Sequence, residues 1–135
     1  MGDLSRNFSR HEFACKCGCG EAEVSPFLIE VLQRLRDILG VPITVTSGRR
    51  CAAHNAAVGG VEERPDDPGS GSQHLYGRAA DIRAEGWTAK DLLRVLQILV
   101  RANALYVGYA YVVTENVVHI DVRQPESGTV QAWRR

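Results

Sequence analysis

Hydrophobic residues recur at helical spacing in two stretches of the 135-residue chain. Before the first stretch, Ser25 and Pro26 supply an N-cap and a first helical residue, and Gly40 supplies a stop. This pattern predicts a helix over residues 26–39. A second apolar stripe follows Thr88, another N-cap residue, and predicts a second helix. The positions expected to face inward are Phe27, Leu28, Val31, Leu32, Leu35, Ile38 and Leu39, then Leu92, Leu93, Val95, Leu96, Leu99 and Val100.

Alternating and β-branched segments predict four short strands, and residues 52–58 favour a short helical turn. The predicted strands are residues 42–47, 77–84, 105–113 and 116–123. A turn at Thr114 and Glu115 joins the last two as a hairpin. Helices and strands do not alternate regularly, so the sequence predicts an α+β fold in which helices pack against a small, largely antiparallel sheet.

The remaining segments are polar, and the length fits a single domain over residues 1–135. Residues 1–24 are expected to be irregular, with Phe8 and Phe13 as anchors. Residues 61–72 are charged and contain proline and glycine, which predicts a flexible surface loop. This loop is open to two interpretations, a lid beside a site or a tolerated insertion. Residues 124–135 form a polar tail.

Charge and hydropathy disfavour several functional classes. The chain has 16 Lys and Arg against 16 Asp and Glu. A net charge of zero disfavours a dedicated nucleic-acid or membrane binder, which depends on a basic patch. No apolar run approaches the roughly 20 residues of a membrane span. The first residues lack an apolar signal region, so we expect synthesis in the cytoplasm without a signal peptide. We also expect a monomer.

The four cysteines cluster in sequence. Cys15, Cys17 and Cys19 form CKCGC, and Cys51 begins a Cys-x-x-His step to His54. Neighbouring cysteines rarely pair with one another, because disulfide geometry requires facing Cβ vectors. Three alternatives remain open: a second, structural zinc with mixed Cys and His ligands, one disulfide from CKCGC to Cys51, or free thiols.

Two of the four histidines have a carboxylate at a useful spacing. In SQHLYGRAAD, Asp81 follows His74 by seven residues. In HID, His119 and Asp121 lie on the same face of a strand, separated by roughly 6.6 to 6.8 Å along it. A charged face on a Val-rich strand is unlike pure core, where charges are costly unless paired or bound to metal.

Two imidazoles and one carboxylate form a common catalytic zinc set that leaves a fourth position for water. A further, unligated carboxylate would then accept a proton from that water. The small residues Gly77, Ala79 and Ala80 would allow close approach of the backbone to the metal. The competing interpretation is a set of salt-bridged His and Asp residues on a surface sheet.

SQHLYGRAAD also matches S-x-H-x-x-G-x-A-x-D, and the chain thereby resembles the zinc D-Ala-D-Ala carboxypeptidase superfamily. That group includes phage endolysin peptidases, vancomycin-resistance dipeptidases and the hedgehog signalling domain. TVTSGRR resembles the ITSGYR segment of the family. NFSRHEFACKCGCG, LQRLRDILG, HNAAVGG and VHIDVR resemble its compact phage-type branch. The resemblance extends from about Asn7 to Arg123, nearly the whole chain.

This resemblance implies that His74, Asp81 and His119 bind one catalytic zinc ion. It also implies that Arg50 binds substrate oxygens and stabilises the oxyanion, a role that suits a guanidinium group. Arg49 stands where the family often has Tyr, so either arginine is a candidate to reach the site.

Ser72 and Gln73 flank the first ligand and are candidate substrate-binding residues, although Ser72 could instead cap a turn. Several relatives carry the catalytic base two or three positions before the last ligand, where this chain has Val117 and Asn116. We therefore expect Asp121 to act as the base or to orient His119, with Glu115 in reserve.

The resemblance implies a zinc metallopeptidase that cuts peptidoglycan stem peptides at a bond involving a D-amino acid. Carboxypeptidase and endopeptidase activity both remain open. A phage or prophage product acting on the cell wall after release fits this expectation. One alternative is a non-catalytic zinc-binding domain of the same fold that binds another protein. Another is a structural protein whose cysteine cluster holds its only metal.

Overall fold

A computed structural model describes residues 2–123, so the predicted tail lies outside the described residues. It contains the helices α1 (Pro26–Leu39), α2 (Ala52–Ala57) and α3 (Ala89–Arg101). Its strands are β1 (Ile43–Ser47), β2 (Ala79–Ala84), β3 (Tyr109–Val112) and β4 (Val118–Asp121). All strand pairs are antiparallel, in the order β1-β2-β4-β3, which confirms the predicted α+β fold.

Capping residues set both ends of α1 and the start of α3, as predicted. The Ser25 hydroxyl accepts a backbone N–H at the start of α1, and Gly40 ends it with φ 69° in the left-handed region. The Thr88 hydroxyl caps α3 in the same way. The prediction that the whole α1 stripe is buried was wrong for Phe27 and Ile38, which are 44% and 45% exposed because they lie at its margins.

The sheet has one face in the core and one face that carries the polar residues. Its apolar face packs with the helices in a single core, which includes Val45, Ile82, Val118 and Ile120. On the opposite face, strand register aligns one row of residues across all four strands. The row runs through Ser47, Asp81, His119 and Tyr111.

The strands are shorter than the sequence predicted. A 3₁₀ turn, Gln73–Tyr76, precedes β2 and ends at Gly77, which has φ 68°. The strand predicted from residue 77 therefore begins only at Ala79. Ahead of β3, Leu105 and Val107 are buried in the core without belonging to a strand. Their apolar character therefore reflects burial and not strand pairing.

The N-terminal segment is irregular apart from a 3₁₀ turn, Arg10–Phe13. Phe8 and Phe13 are fully buried, as predicted, with ring centroids 6.2 Å apart. Within residues 2–123, none of the helices is long and apolar enough to cross a membrane.

Candidate metal centre

The three predicted zinc ligands come together in the structure. His74 comes from the 3₁₀ turn, Asp81 from β2 and His119 from β4. Their ligand atoms all lie within 4.8 Å of one another, and all three residues are buried. This grouping depends on antiparallel pairing, because Asp81 and His119 are direct cross-strand partners on the polar face of the sheet.

Local structure places His74 opposite these two residues. The Ser72 hydroxyl accepts the backbone N–H of His74 at 3.3 Å and so caps the 3₁₀ turn. Gly77 then reverses the chain into β2. A Cβ atom on Gly77 would lie 2.4 Å from the Glu23 carbonyl oxygen, so a glycine is required there for packing as well as for its φ.

Hydrogen bonds from the outer ring nitrogens fix the tautomers of both histidines. Nδ1–H of His74 donates to the Gly48 carbonyl at 2.7 Å. Nε2–H of His119 donates to Oδ2 of Asp121 at 2.8 Å. Such partners are typical of metal-binding histidines, because they orient the ring and raise its basicity.

The two remaining ring nitrogens converge on one carboxylate oxygen. Nε2 of His74 lies 3.2 Å from Oδ1 of Asp81, and Nδ1 of His119 lies 3.1 Å from the same atom. In the tautomers just described, neither nitrogen carries a hydrogen, so three lone pairs face one another. A cation between them resolves this repulsion. In a tetrahedral zinc site, bonds of about 2.0–2.1 Å place the ligand atoms about 3.4 Å from one another. The separations of 3.2 and 3.1 Å are close to this distance, so the donor set fits zinc.

Electrostatics in the metal-free protein favour positive charge beside Asp81. Burial opposes a charged His119, yet hydrogen bonds to Asp121 and Asp81 raise its pKa above the usual value. Burial likewise opposes an ionised Asp81, but its hydrogen bonds with His119 and His74 lower its pKa well below the ordinary range. The site therefore holds Asp81 ionised and attracts positive charge.

Asp121 is fully buried, and both of its oxygens have partners. Oδ2 accepts from His119 and, at 2.7 Å, from a terminal nitrogen of Arg123; Oδ1 accepts from Nε of Arg123 at 3.0 Å. Burial would raise the pKa of Asp121, but the contacts with His119 and Arg123 lower it. Of the two predicted roles for Asp121, this geometry favours orienting His119. Glu115 is exposed in the β3–β4 turn, outside the group of ligand atoms.

The two candidate arginines point to different places. A terminal nitrogen of Arg50 lies 3.7 Å from Oδ2 of Asp81, and the other donates to the Asn55 side chain at 3.2 Å. Nε of Arg50 is buried and has no hydrogen-bond partner among the described residues. Arg49 instead pairs with Glu21 at 2.9 Å. Arg50 is therefore the arginine beside the metal centre.

A cavity of about 480 Å³ lies next to Arg50. Glu62 and Glu63 contribute to its wall, so part of the predicted surface loop lines the cavity, and Arg50 is the residue that links this cavity to Asp81. The Tyr76 hydroxyl donates to Glu63 at 2.6 Å and attaches the loop to the 3₁₀ turn. Gln73 is buried, and its side-chain oxygen has no partner within residues 2–123.

Two neighbours of the site, Tyr111 and Asn55, were not predicted from the sequence. The Tyr111 ring stacks on the His119 ring, with centroids 4.5 Å apart and planes 13° apart. Asn55 is fully buried and orients Arg50. Strand alternation could have placed Tyr111 on the polar face, but no sequence pattern indicates which residue lies beside Arg50.

All four cysteines are free thiols, and their sulfur atoms form a second group of ligand atoms within 4.8 Å of one another. The structure contains no disulfide among these four residues, and the choice between structural zinc and free thiols stays a prediction. The His54 ring is not among the grouped ligand atoms.

Comparison with known proteins identifies one family. The family described as Peptidase M15 matches residues 6–121, most of the chain, and confirms the resemblance seen in the sequence. No curated protein and no solved structure is significantly similar to the chain.

Proposed function

Because this chain belongs to the peptidase M15 family and is a zinc metallopeptidase, we propose that it hydrolyses peptidoglycan stem peptides at a bond involving a D-amino acid. The convergence of His74, Asp81 and His119 on one point, with Arg50 both near Asp81 and in the wall of a cavity, is the observation that supports this proposal. It supplies a Lewis-acid site, a cation for developing negative charge and space for a peptide.

The groups around the centre have separate roles in the proposed reaction. Zinc bound there supplies Lewis-acid chemistry that activates water and polarises a carbonyl. Arg50 binds the carbonyl oxygen of the scissile bond and stabilises the negative charge that develops on it. Asp121 keeps the His119 ring in the ligating tautomer and is itself held by Arg123, so we assign it a positioning role.

The cavity beside Arg50 receives the substrate peptide. Arg49 and Arg50 offer positive charge there, whereas Glu21, Glu62 and Glu63 offer negative charge. A mixed wall of this kind suits a peptide that carries both carboxylates and amines, as a stem peptide does. The carboxypeptidase and endopeptidase alternatives differ in whether a free carboxylate or a continuing chain occupies this cavity. In either case, the enzyme would act on the cell wall after its release.

One observation favours a second candidate, a zinc-binding domain that binds another protein without turnover. Positions 116 and 117 carry Asn and Val, and the oxygens of Asp121 are already occupied by His119 and Arg123. Positions 116 and 117, where relatives carry the catalytic base, thus supply no proton acceptor, and Asp121 is already engaged by two partners.

Digestion of purified muropeptides separates these candidates. We expect zinc-loaded protein to release fragments that mass spectrometry assigns to one bond next to a D-residue. A terminal D-residue would indicate a carboxypeptidase, and internal fragments would indicate an endopeptidase. The matched control is His74→Ala, which should bind muropeptides but not cut them. Zinc-loaded wild-type protein that leaves muropeptides of all wall types intact would contradict hydrolysis and support the binding domain.

A further inference from the structure

The four cysteine sulfurs form a compact group that is separate from the ligand group of His74, Asp81 and His119. Sγ of Cys15 lies 3.4 Å from that of Cys17 and 3.8 Å from that of Cys51, and the last two are 3.6 Å apart. Cys19 completes the group within 4.8 Å. One cysteine is buried, one is half-buried and two are exposed.

These distances match the edges of a metal–thiolate tetrahedron. A Zn–S bond of about 2.3 Å sets the S···S edges at about 3.8 Å. A disulfide requires sulfurs about 2.05 Å apart, and one disulfide would leave two further thiols crowded against it. Three sulfurs close to tetrahedral spacing, with the fourth within 4.8 Å, therefore fit one cation better than any pairing.

The backbone around the sulfurs is folded to support thiolates. The Cys15 N–H donates to the Glu21 carbonyl at 2.7 Å, which closes a tight turn that brings Cys17 and Cys19 back towards Cys15. Gly18 permits this turn with φ 83°. In addition, the Cys51 N–H donates to Sγ of Cys15 at 3.4 Å. Hydrogen bonds of this kind stabilise negative charge on sulfur.

His54 contributes its backbone and not its ring. Its N–H donates to Sγ of Cys51 at 3.4 Å, whereas its imidazole is not among the grouped ligand atoms. The Cys-x-x-His step in the sequence is thus a capping contact of α2. It favours a site with four cysteine ligands over one that includes the His54 ring.

We propose that Cys15, Cys17, Cys19 and Cys51 bind a structural zinc ion that joins the N-terminal segment to the loop between β1 and α2. That loop carries Arg49 and Arg50 immediately before Cys51. The two segments already meet where the Arg49 N–H donates to the Phe13 carbonyl at 2.8 Å. Glu21 pairs with Arg49 and lines the same cavity as Cys51. The ion therefore fixes one wall of the cavity and the segment that holds Arg50.

Zinc stoichiometry tests this site independently of catalysis. Full-length protein is purified under reducing conditions, and zinc per chain is measured for wild type, Cys17→Ser, His54→Ala and His74→Ala. We expect two zinc ions per chain in wild type and in His54→Ala, and one in Cys17→Ser and in His74→Ala. His54→Ala is the matched control, since it lies beside Cys51 in sequence but keeps every sulfur. If Cys17→Ser fails to fold, Cys19→Ser replaces it, because both side chains are exposed.

Substitution of zinc by cobalt gives a second readout that does not depend on activity. Tetrahedral cobalt thiolates show strong sulfur-to-metal charge-transfer absorption, which we expect in wild type and in His74→Ala but not in Cys17→Ser. A wild-type zinc content that is unchanged in Cys17→Ser, or a charge-transfer band that Cys17→Ser retains, would overturn the four-cysteine site. A disulfide found in wild type after metal loading would overturn it too.

Discussion

His119 and Asp121 are joined by a 2.8 Å hydrogen bond between side chains two residues apart on β4. A strand places both on one face, and the bond directs the other ring nitrogen of His119 towards Asp81. Asp121, which the sequence offered first as a base, therefore contacts the ring nitrogen of His119 that faces away from Asp81.

Asp121→Asn should weaken the catalytic zinc site. An amide cannot accept a charge-assisted bond from His119 and balance Arg123 as a carboxylate does, so we expect zinc affinity to fall about 10- to 100-fold. Chelator competition measures this affinity, and the pH profile of hydrolysis shows whether a titrating group has been lost. Unchanged zinc affinity with hydrolysis abolished would instead identify Asp121 as the base.

Arg50→Ala should lower kcat/KM about 10²- to 10³-fold, because a cation that stabilises the oxyanion is lost. Zinc content should stay the same, since Arg50 is not a ligand. Arg49→Ala is the control: Arg49 lines the same cavity but pairs with Glu21, and we expect less than a tenfold loss. Steady-state kinetics on one peptide compares the two variants, and equal losses would contradict the assignment of Arg50.

Zinc affinity at the catalytic centre should depend on pH. The pKa of His119 is raised above 6.5 in the metal-free fold. The stability that this proton contributes is complete below the unfolded value of about 6.5 and is lost as the pH rises through the folded pKa. Zinc must displace the proton, so its affinity should rise with pH, with a midpoint above about 6.5. Titration of the Cys17→Ser variant isolates this site, and a midpoint below 6.5 would contradict the contacts described.

Gly77→Ala should unfold the protein more readily than Gly69→Ala. Both glycines have positive φ, which costs about 1 kcal/mol or slightly more in free energy of unfolding for alanine. A Cβ atom at Gly69 meets open space, whereas at Gly77 it would lie 2.4 Å from the Glu23 carbonyl oxygen. We therefore expect Gly77→Ala to lose more than about 2 kcal/mol in denaturant titrations. Equal losses would show that the clash relaxes.

The sequence predicted the elements whose signals are local. Ser25, Pro26 and Gly40 mark the bounds of α1 because caps act on adjacent backbone groups. The predicted strand ends were less accurate. Leu105 and Val107 are apolar because they are buried in the core, and they do not belong to a strand. Local patterns do not separate these two causes.

The grouping of the three predicted ligands was expected from the sequence motif and its family resemblance, and the surroundings of that group were not. His74, Asp81 and His119 share a recognisable pattern, and antiparallel register brings them together. The choice between Arg49 and Arg50 depends on tertiary contacts with Glu21 and Asn55, which no sequence period encodes.

Zinc-dependent amine release tests the catalytic centre most directly. Metal is removed from wild type and His74→Ala, zinc is returned in steps, and new amines released from purified peptidoglycan are counted. We predict that wild type recovers hydrolysis with zinc and that His74→Ala stays inactive while it retains the zinc bound by cysteines. Hydrolysis by His74→Ala at the wild-type rate, or by metal-free wild type, would contradict zinc catalysis at His74, Asp81 and His119.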